Sequence, residues 1–524
     1  MNNIKYVKMM GFRKFKDTTI IYNEHLNIII GENEAGKSTV VEAIDIAINQ
    51  LYKNADKSII KELINIEDYN DFKKHPSIEN LPKIYIEVGL ELDTSINSST
   101  YSGIEYYNTD KKTNNTGIAF KCEFNDELKD IASTIISNGN IPYECYSFKW
   151  KTFAGAPYNS LIKPIKYLGI NTSNIETNNT YNNYNKSLFN NKVQELDRVK
   201  AKGNYSEKID KILEDEIFTI DENRKFGINR KKVILENIIN IVEGGVPIEN
   251  KGSGMENLIK TKMALEKKSN NDIISIEEPE NHLSYNNLRK MIKEIEDREK
   301  SAQIIITTHS SMIVSSLNLK NVILLNNSIP KRFNELDDTV ANYFNKSDNN
   351  KLLEFILSKR VILVEGNTEY ILFPKFYEKV NKSSIDKDNI SIISVGGLGY
   401  KNFVYIAEIL DKEMVVITDN DKNEEKIKEI NDYNQKSTKI KIYTDQDKNR
   451  WTIEVCIYED NKELLDKVIQ VKDNAKYYFN GNDYGKTLGK MLNNKTDTAI
   501  KILSEDIEIP SYIKGAMEWI KKLC

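Results

Sequence analysis

The sequence predicts an α/β protein made of two parallel sheets with helices on their faces, carried on one chain of 524 residues. Three observations predict it. The apolar run Leu26 to Ile30 leads into Gly31-Glu32-Asn33-Glu34-Ala35-Gly36-Lys37-Ser38-Thr39, and an amphipathic helix opens at Val40. That is a phosphate-binding loop, GxxxxGK[ST], in the strand–loop–helix setting it requires. Further on, strands at Asp272 to Ile276 and Gln303 to Thr307 flank a helix from Ser284 to Arg298. Such alternation means a parallel sheet covered on both faces. Finally, Arg360 to Glu365, Ile390 to Val395 and Met414 to Thr418 are β-branched-rich runs separated by helical sequence, the mark of a second sheet.

Composition bounds the answer. Hydrophobic residues make up 40%, enough to build cores, and the length argues for about three domains. A net charge of −4 does not advertise nucleic-acid binding, nor does it exclude a basic groove inside an acidic protein. Cys122, Cys145, Cys456 and Cys524 are scattered, with neither zinc spacing nor a disulfide framework. No apolar run approaches the about 18 residues a membrane span needs. A soluble, cytoplasmic protein without a membrane partner is expected.

Taken in order, Ile4 to Met9 and Thr18 to Tyr22 read as a hairpin around Gly11 to Phe15. Ile84 to Leu92, Gly117 to Phe124 and Tyr143 to Trp150 read as strands, and Asn97 to Thr116 as turns. Asn171 to Asn191 is almost a low-complexity segment, followed by charged helical sequence from Val193 to Phe218. Lys231 to Val242 reads as a helix, then come a Gly-rich turn and a second helix. Val322 to Leu325 is a further short strand, and Asn334 to Asn350 is polar and acidic.

The phosphate loop has matching parts. Its backbone, with Asn33, Gly36 and Thr39, would surround a phosphate chain at a helix N-terminus. Lys37 would reach the outer phosphates and Ser38 would hold magnesium. Ile273 to Ile276 ends in Glu277 and Glu278, placed for magnesium and for orienting the attacking water respectively. The next strand ends at Thr307-Thr308-His309-Ser310, where His309 can sense a γ-phosphate. Gly252-Ser253-Gly254-Met255-Glu256 opens a helix, offering backbone N–H groups and the Ser253 hydroxyl to another phosphate.

These four motifs, in this order, resemble the ABC-type ATPases of the SMC and RecF kind. The resemblance implies a head-to-head dimer with ATP between two subunits, Ser253 and Gly254 serving as the signature loop and His309 as the switch histidine. Glu256 stands where that family usually has Gln, and Glu277 where it often has Asp. The family's long coiled coil is absent, and no Q-loop glutamine is legible.

In the second sheet, Val361 to Val364 ends at Glu365, with Glu369 one helical turn on, and Val415 to Thr418 ends in Asp419-Asn420-Asp421. Parallel strand ends side by side would converge Glu365, Asp419 and Asp421, hard oxygen ligands suited to magnesium or manganese. This pattern resembles a Toprim domain, and Gly396, Gly397 and Gly399 fit its turn after the second strand.

An ABC-type ATPase followed by Toprim is the arrangement of the OLD (overcoming lysogenization defect) family of nucleases, which the chain resembles over nearly its whole length. The resemblance implies that Glu369 and Glu454 serve a second metal and that Lys486, in Gly485-Lys486-Thr487-Leu488-Gly489-Lys490, is a catalytic lysine. The domains expected are 1–154 and 231–335 for the ATPase, 155–230 for an inserted helical dimerisation arm, 336–354 for a linker and 355–524 for the Toprim nuclease domain with a C-terminal extension. Expected cofactors are ATP with Mg2+, and Mg2+ or Mn2+ at the Toprim acids. Expected partners are DNA, further copies of the chain as a homodimer or tetramer, and a helicase-like or retron-type subunit, since members such as the Gabija nuclease subunit act in antiphage defence. Two rivals remain: a topoisomerase- or primase-like enzyme, which lacks a legible nucleophilic tyrosine, and an ATP-switched sensor or scaffold with an inert Toprim site.

Overall fold

In the computed structural model the N-terminal run forms β1 (Asn3–Phe12), which turns at Arg13 and Lys14 into antiparallel β2 (Phe15–Ile21). The structure describes residues 1–93, 98–107, 114–171, 189, 193–212, 219–221, 224–225, 235, 238–266, 271–326, 328–346, 351–396, 399–471 and 476–524. These divide into two units, Met1–Asp337 and Asp338–Cys524.

In the first unit β3 (Leu26–Gly31) is buried along its whole length, as a central parallel strand must be. It feeds α1 (Lys37–Asn49), which buries residues nearly all round, from Lys37 to Ile48. A helix apolar on every side needs walls on every side, and two sheets supply them. One is antiparallel: β2, β1, β4 (Ile84–Glu91) and β5 (Asn115–Phe124) in that order, with β6 (Tyr146–Thr152) paired to β5. Trp150 on β6 donates its indole N–H to the Ile46 carbonyl at 2.8 Å, and the Tyr158 hydroxyl donates to Ile48 at 2.7 Å. Both satisfy carbonyls that the last turn of α1 leaves unpaired.

The other wall is the mainly parallel sheet, which begins with β7 (Tyr167–Asn171) and continues with β8 (Ile273–Glu277), β9 (Gln303–Thr307), β10 (Val322–Asn326) and antiparallel β11 (Ile329–Arg332). Its order is β11-β10-β3-β9-β8-β7, so the phosphate-loop strand sits at the centre. Charged α2 (Glu195–Ile212) follows β7 in sequence; α3 (Ser253–Leu265) precedes β8, and α4 (Tyr285–Arg298) joins β8 to β9. Short α5 (Ser311–Ser316) follows β9.

Two boundary expectations are corrected. Residues 155–171 are not part of an inserted arm, because Tyr158 caps α1 and β7 is the parallel edge neighbour of β8. The expected linker 336–354 instead carries α6 (Asp338–Lys346) and the start of α7 (Lys351–Leu357). Its polar surface hides a buried ring: Phe344 meets Phe403 edge-on at 5.0 Å, as Phe355, just past the expected linker, does at 4.9 Å. Most of the Asn-rich stretch 171–191, and much of the helix expected at 231–242, lie outside the described residues. At 242–247 a small hairpin stands, with Gly244 and Gly245 at its turn.

The second unit is a four-stranded parallel sheet, β12 (Arg360–Val364), β13 (Ile390–Ser394), β14 (Glu413–Ile417) and β15 (Ile440–Tyr443), in the order β13-β12-β14-β15. Helices α8 (Asn367–Asn381), α9 (Tyr400–Leu410) and α10 (Glu424–Lys436) make the crossovers. After β15 come α11 (Ile453–Asp460), α12 (Lys462–Val468), α13 (Lys486–Asn493), α14 (Lys495–Ile502) and α15 (Ser511–Lys522). No helix among the described residues is long and apolar enough to cross a membrane.

Candidate active sites

In the first unit the parallel register sets one row across the sheet. Glu277 at the end of β8 lies opposite Asn171 of β7 on one side and Thr307 of β9 on the other, and Thr307 lies opposite Ile29 of β3. Beyond that row a cleft of about 410 Å³ is lined by Asn33, Gly36, Lys37, Ser38, Thr39, Glu278 and His309. Six of the residues that the motifs assigned to nucleotide, together with Glu278, therefore line one cleft. Lys14 and Glu34 line it too, and Lys14 donates to the Glu34 carbonyl at 2.7 Å. Neither carries a motif signal.

The loop is built to take an anion. The first turn of α1 has no side-chain cap and no acidic residue, so its N–H groups stay free of an internal carboxylate. Gly36 at the N-cap has φ 100, and a Cβ there would lie 2.7 Å from the Phe15 ring. Lys37 is buried and donates to the carbonyls of Gly31 and Glu32 at 3.1 and 3.2 Å. Burial pulls its ammonium pKa down, against the pull of Glu278 and Glu280.

Glu277 accepts from the Asn171 amide at 3.1 Å, and burial pushes its carboxyl up to about 7, against its hydrogen bond to Ser38. His309 Nε2 lies 3.5 Å from Glu278. Burial, then Lys37, holds its imidazole below the usual histidine value, so it is neutral at neutral pH. Glu280, which the motifs left without a role, organises this corner. One oxygen accepts from the Thr308 hydroxyl and the His309 N–H, both at 2.7 Å; the other is buried with no hydrogen-bond partner among the described residues.

The Gly252 to Glu256 loop, the expected signature loop, opens α3 without a side-chain cap. Gly254 has no room for a side chain, since a Cβ would sit 2.0 Å from the His282 carbonyl. The Ser253 side chain lies outside the described residues. Glu256, in the Gln position of the resemblance, is 2% exposed and pairs with Lys260 at 2.5 Å. The substituted charge is matched one turn on.

In the second unit Val364 of β12 lies opposite Ile417 of β14, so Glu365 and Thr418 emerge side by side. The Thr418 hydroxyl donates to Glu365. Lys426 on α10 lies 2.7 Å from Asp421 and 3.8 Å from Glu365. Asp419 accepts from the Ile453 N–H at 3.0 Å, which draws the start of α11 over the strand ends. Glu454 accepts from the Thr368 and Thr452 hydroxyls at 2.9 and 2.6 Å and from Lys495 at 3.0 Å.

The acids raise one another's pKa. Burial lifts Asp419 well above the usual carboxylate range, with Glu365, Glu369 and Glu454 adding to it. Glu369 is pushed up to about 7 by burial, then by Glu454 and Glu365. Burial also raises Glu365, against its bond to Thr418. Glu365, Glu369, Asp419, Asp421 and Glu454 are thus brought into one neighbourhood. Among the described residues no three His, Cys, Asp or Glu side chains, these five included, stand so that together they could hold one metal ion. Their chemistry nonetheless fits a divalent cation: five carboxylates face two lysines, Lys426 and Lys495, and hard oxygens crowded in a buried site favour magnesium or manganese. Lys426 is hydrogen-bonded to Asp421 and Lys495 to Glu454. Lys486 is exposed at the first turn of α13. Gly397 in the expected Gly-rich turn lies outside the described residues.

The first unit is thus a nucleotide-binding head and the second an acid-lined Toprim fold. Comparison with known families agrees: residues 3–314 match the AAA ATPase domain, and residues 356–421 match the overcoming lysogenization defect protein-like TOPRIM domain. Over residues 3–314, more than half its length, the chain belongs to the AAA ATPase domain family, and with the second match it carries the domain pair of the OLD family. It is 24% identical over 672 aligned positions to the endonuclease GajA of Bacillus cereus (strain HuB5-5), an alignment covering 99% of this chain and 96% of that one. It is 29% identical over 150 residues to the Old nuclease of Escherichia phage P2, covering 26% and 25% of the two chains. Among solved structures, an SMC head bound to the C-terminal winged-helix domain of ScpA aligns with 63% of this chain and 97% of its own at 13% identity, with a TM-score of 0.34, too low to carry weight.

Proposed function

We propose that the chain is a metal-dependent DNA endonuclease controlled by its ATPase unit and acting in antiphage defence. The observation that carries this reading is the grouping of Glu365, Glu369, Asp419 and Glu454 beside the strand ends of the second sheet, with Lys495 bonded to Glu454. The relatives named endonuclease GajA and Old nuclease support it. Glu365, Asp419 and Asp421, with Glu369 and Glu454 for a second ion, would hold magnesium or manganese, which would supply an activated water and charge stabilisation at a phosphodiester. Thr418 and Lys426 keep Glu365 oriented, and the Ile453 N–H does the same for Asp419. Lys495 is better situated than Lys486 to neutralise charge on the scissile phosphate, because it is already bonded to Glu454. Lys486 is kept as a second cation for the substrate backbone.

In the ATPase unit, Asn33, Gly36, Lys37, Ser38 and Thr39 cradle the phosphates of ATP, Ser38 and Glu277 hold its magnesium, Glu278 orients water and His309 senses the γ-phosphate. Ser253 and Gly254 face the nucleotide of a second copy in a homodimer, itself able to pair into a tetramer. A helicase-like or retron-type subunit completes the defence complex. The ATPase gates DNA access.

Cleavage of supercoiled plasmid with magnesium or manganese, with and without ATP, tests this. Wild type is expected to cut, and Asp419→Ala and Glu365→Ala to lose at least about 100-fold in rate. Full activity in both variants would sink the assignment, and indifference of binding and cleavage to ATP would remove the gating. Lys426, lying between Glu365 and Asp421, favours a second reading, a sensor or scaffold with an inert Toprim site. On that reading wild type cuts nothing even with a partner present, and Lys426→Ala changes nothing.

A further inference from the structure

Beside the acids of the second unit stands a group of rings that the reading above does not use. Asn420, 1% exposed, ties down the turn after β14. Its amide donates to the carbonyls of Asp445, Asp447 and Arg450 at 3.1, 2.9 and 3.3 Å, and its oxygen accepts from the Lys422 N–H at 2.9 Å. The turn it fixes is strained. Asp421 and Lys422 both lie in the left-handed region, at φ 53 and 60, a conformation that successive non-glycine residues keep only when their surroundings impose it.

The strained turn carries the exposed Lys422 over a ring system. Its ammonium is 4.8 Å from the Trp451 ring centroid, 5.6 Å from that of Tyr484 and 3.2 Å from the Tyr484 hydroxyl. Trp451 stacks on Phe479 at 5.9 Å with 26° between planes, and meets Tyr484 at 6.0 Å. The rings pack from below on Val455, Leu488 and Leu492. Trp451 is also wired to the acids: its carbonyl accepts from the Asp421 N–H at 3.3 Å, the Thr452 hydroxyl holds Glu454, and the Ile453 N–H holds Asp419. Closing α11 over α13 requires apolar rings but neither a strained turn nor an exposed cation.

Resting on the nuclease reading for what is bound, we infer that Trp451, supported by Phe479 and Tyr484, is a stacking platform for an unpaired base beside the phosphate that the acids address, with Lys422 leaving the indole for the neighbouring phosphate as the base arrives. Every base has a π-face, so such a platform tolerates sequence but requires an unstacked nucleotide. Bases inside an intact duplex are stacked on one another and offer no free face. The substrate class is therefore nucleic acid with an unpaired or splayed nucleotide at the point of cleavage, not uniform duplex.

The test is the anisotropy of two fluorescein-labelled oligonucleotide duplexes, one fully paired and one with a central unpaired bubble. The full-length chain carries Asp419→Asn, which prevents turnover and keeps an acceptor for the Ile453 N–H. The bubble is expected to bind more tightly than the paired duplex. Trp451→Leu is expected to weaken bubble binding roughly 5- to 100-fold, and Lys422→Gln, through the lost phosphate contact, about 2- to 5-fold, with paired-duplex binding little changed by Trp451→Leu. Lys422→Gln alters an exposed side chain and reports even if Trp451→Leu fails to fold. Equal affinity for both duplexes before either substitution, or bubble affinity untouched by Lys422→Gln and by whichever ring variant folds, overturns the platform. Plasmid cleavage by wild type judges the nuclease reading separately. Cutting without bubble preference removes the platform alone, and bubble preference without cutting keeps it and removes the nuclease.

Discussion

Glu256 and Lys260 show how a departure from a family pattern is absorbed. Both are buried and they pair at 2.5 Å. Glu256→Gln, the residue the ATPase pattern favours, leaves the ammonium short of its counter-charge. It is expected to cost on the order of 2 kcal/mol in urea unfolding, and Lys260→Met in the same chain to recover most of that. A single variant that unfolds with wild type would show the pair to be idle. Gly36 sets a stricter limit, since its φ of 100 and the Phe15 ring leave no place for a methyl group. Gly36→Ala is expected to abolish the rise in melting temperature that ATP gives wild type, because a ligand stabilises only a fold it can bind. Glu365 and Asp419 could be singled out from the sequence because each follows an apolar strand, whereas Glu369 and Glu454 came only with the family resemblance. Lys495 came with neither, because a lysine inside a helix of a lysine-rich chain has no local signature; only the bond to Glu454 distinguishes it.

The antiparallel sheet carries a charge of its own at Glu87 on β4. This carboxylate is 1% exposed and accepts from the Tyr85 hydroxyl at 2.7 Å and the Tyr107 N–H at 2.8 Å. Burial raises its pKa above the ordinary 4.5, against the lowering effect of those bonds. The folded chain therefore keeps a proton that the unfolded chain has lost, and stability falls as pH rises from about 4.5 through the raised value, then levels off. Glu87→Gln is expected to make that fall shallower by the Glu87 share, leaving the shares of Glu277, Glu365, Glu369 and Asp419, which denaturation midpoints measured over the same pH range would reveal. A wild-type curve parallel to that of the variant would count against it. Most strands were readable from their alternation or apolar runs, but β7 was not. It is five residues long with Gly169 inside, and what makes it a strand is β8, more than a hundred residues away in sequence.

At the scale of the whole chain, each of the two units has its own core, and the division falls at Asp337 and Asp338. The second unit therefore includes α6 and α7, whose Phe344, Leu352, Phe355 and Ile356 are buried within it. Residues 338–524 expressed alone are expected to unfold in one cooperative transition. Residues 359–524, stripped of both helices, are expected to lose on the order of 5 kcal/mol from the exposed apolar surface and to melt at a visibly lower temperature. Equal melting of the two fragments would return 336–354 to the status of a linker. Legibility failed here because the polar residues of 336–350 dominate its composition while the rings that decide its fate meet Phe403 only in three dimensions.

The bond between Asn171 and Glu277 also bears on the length of chain between them. The two residues are 106 positions apart, yet they sit on adjacent strands in fixed register, so both ends of the excursion that begins after β7 are anchored at the nucleotide site. Closing such an excursion costs only about 0.6 kcal/mol for each doubling of its length. A change of length in its middle therefore costs little closure entropy as long as the two anchors keep their register, so the interval works like a socket that accepts inserts of many sizes.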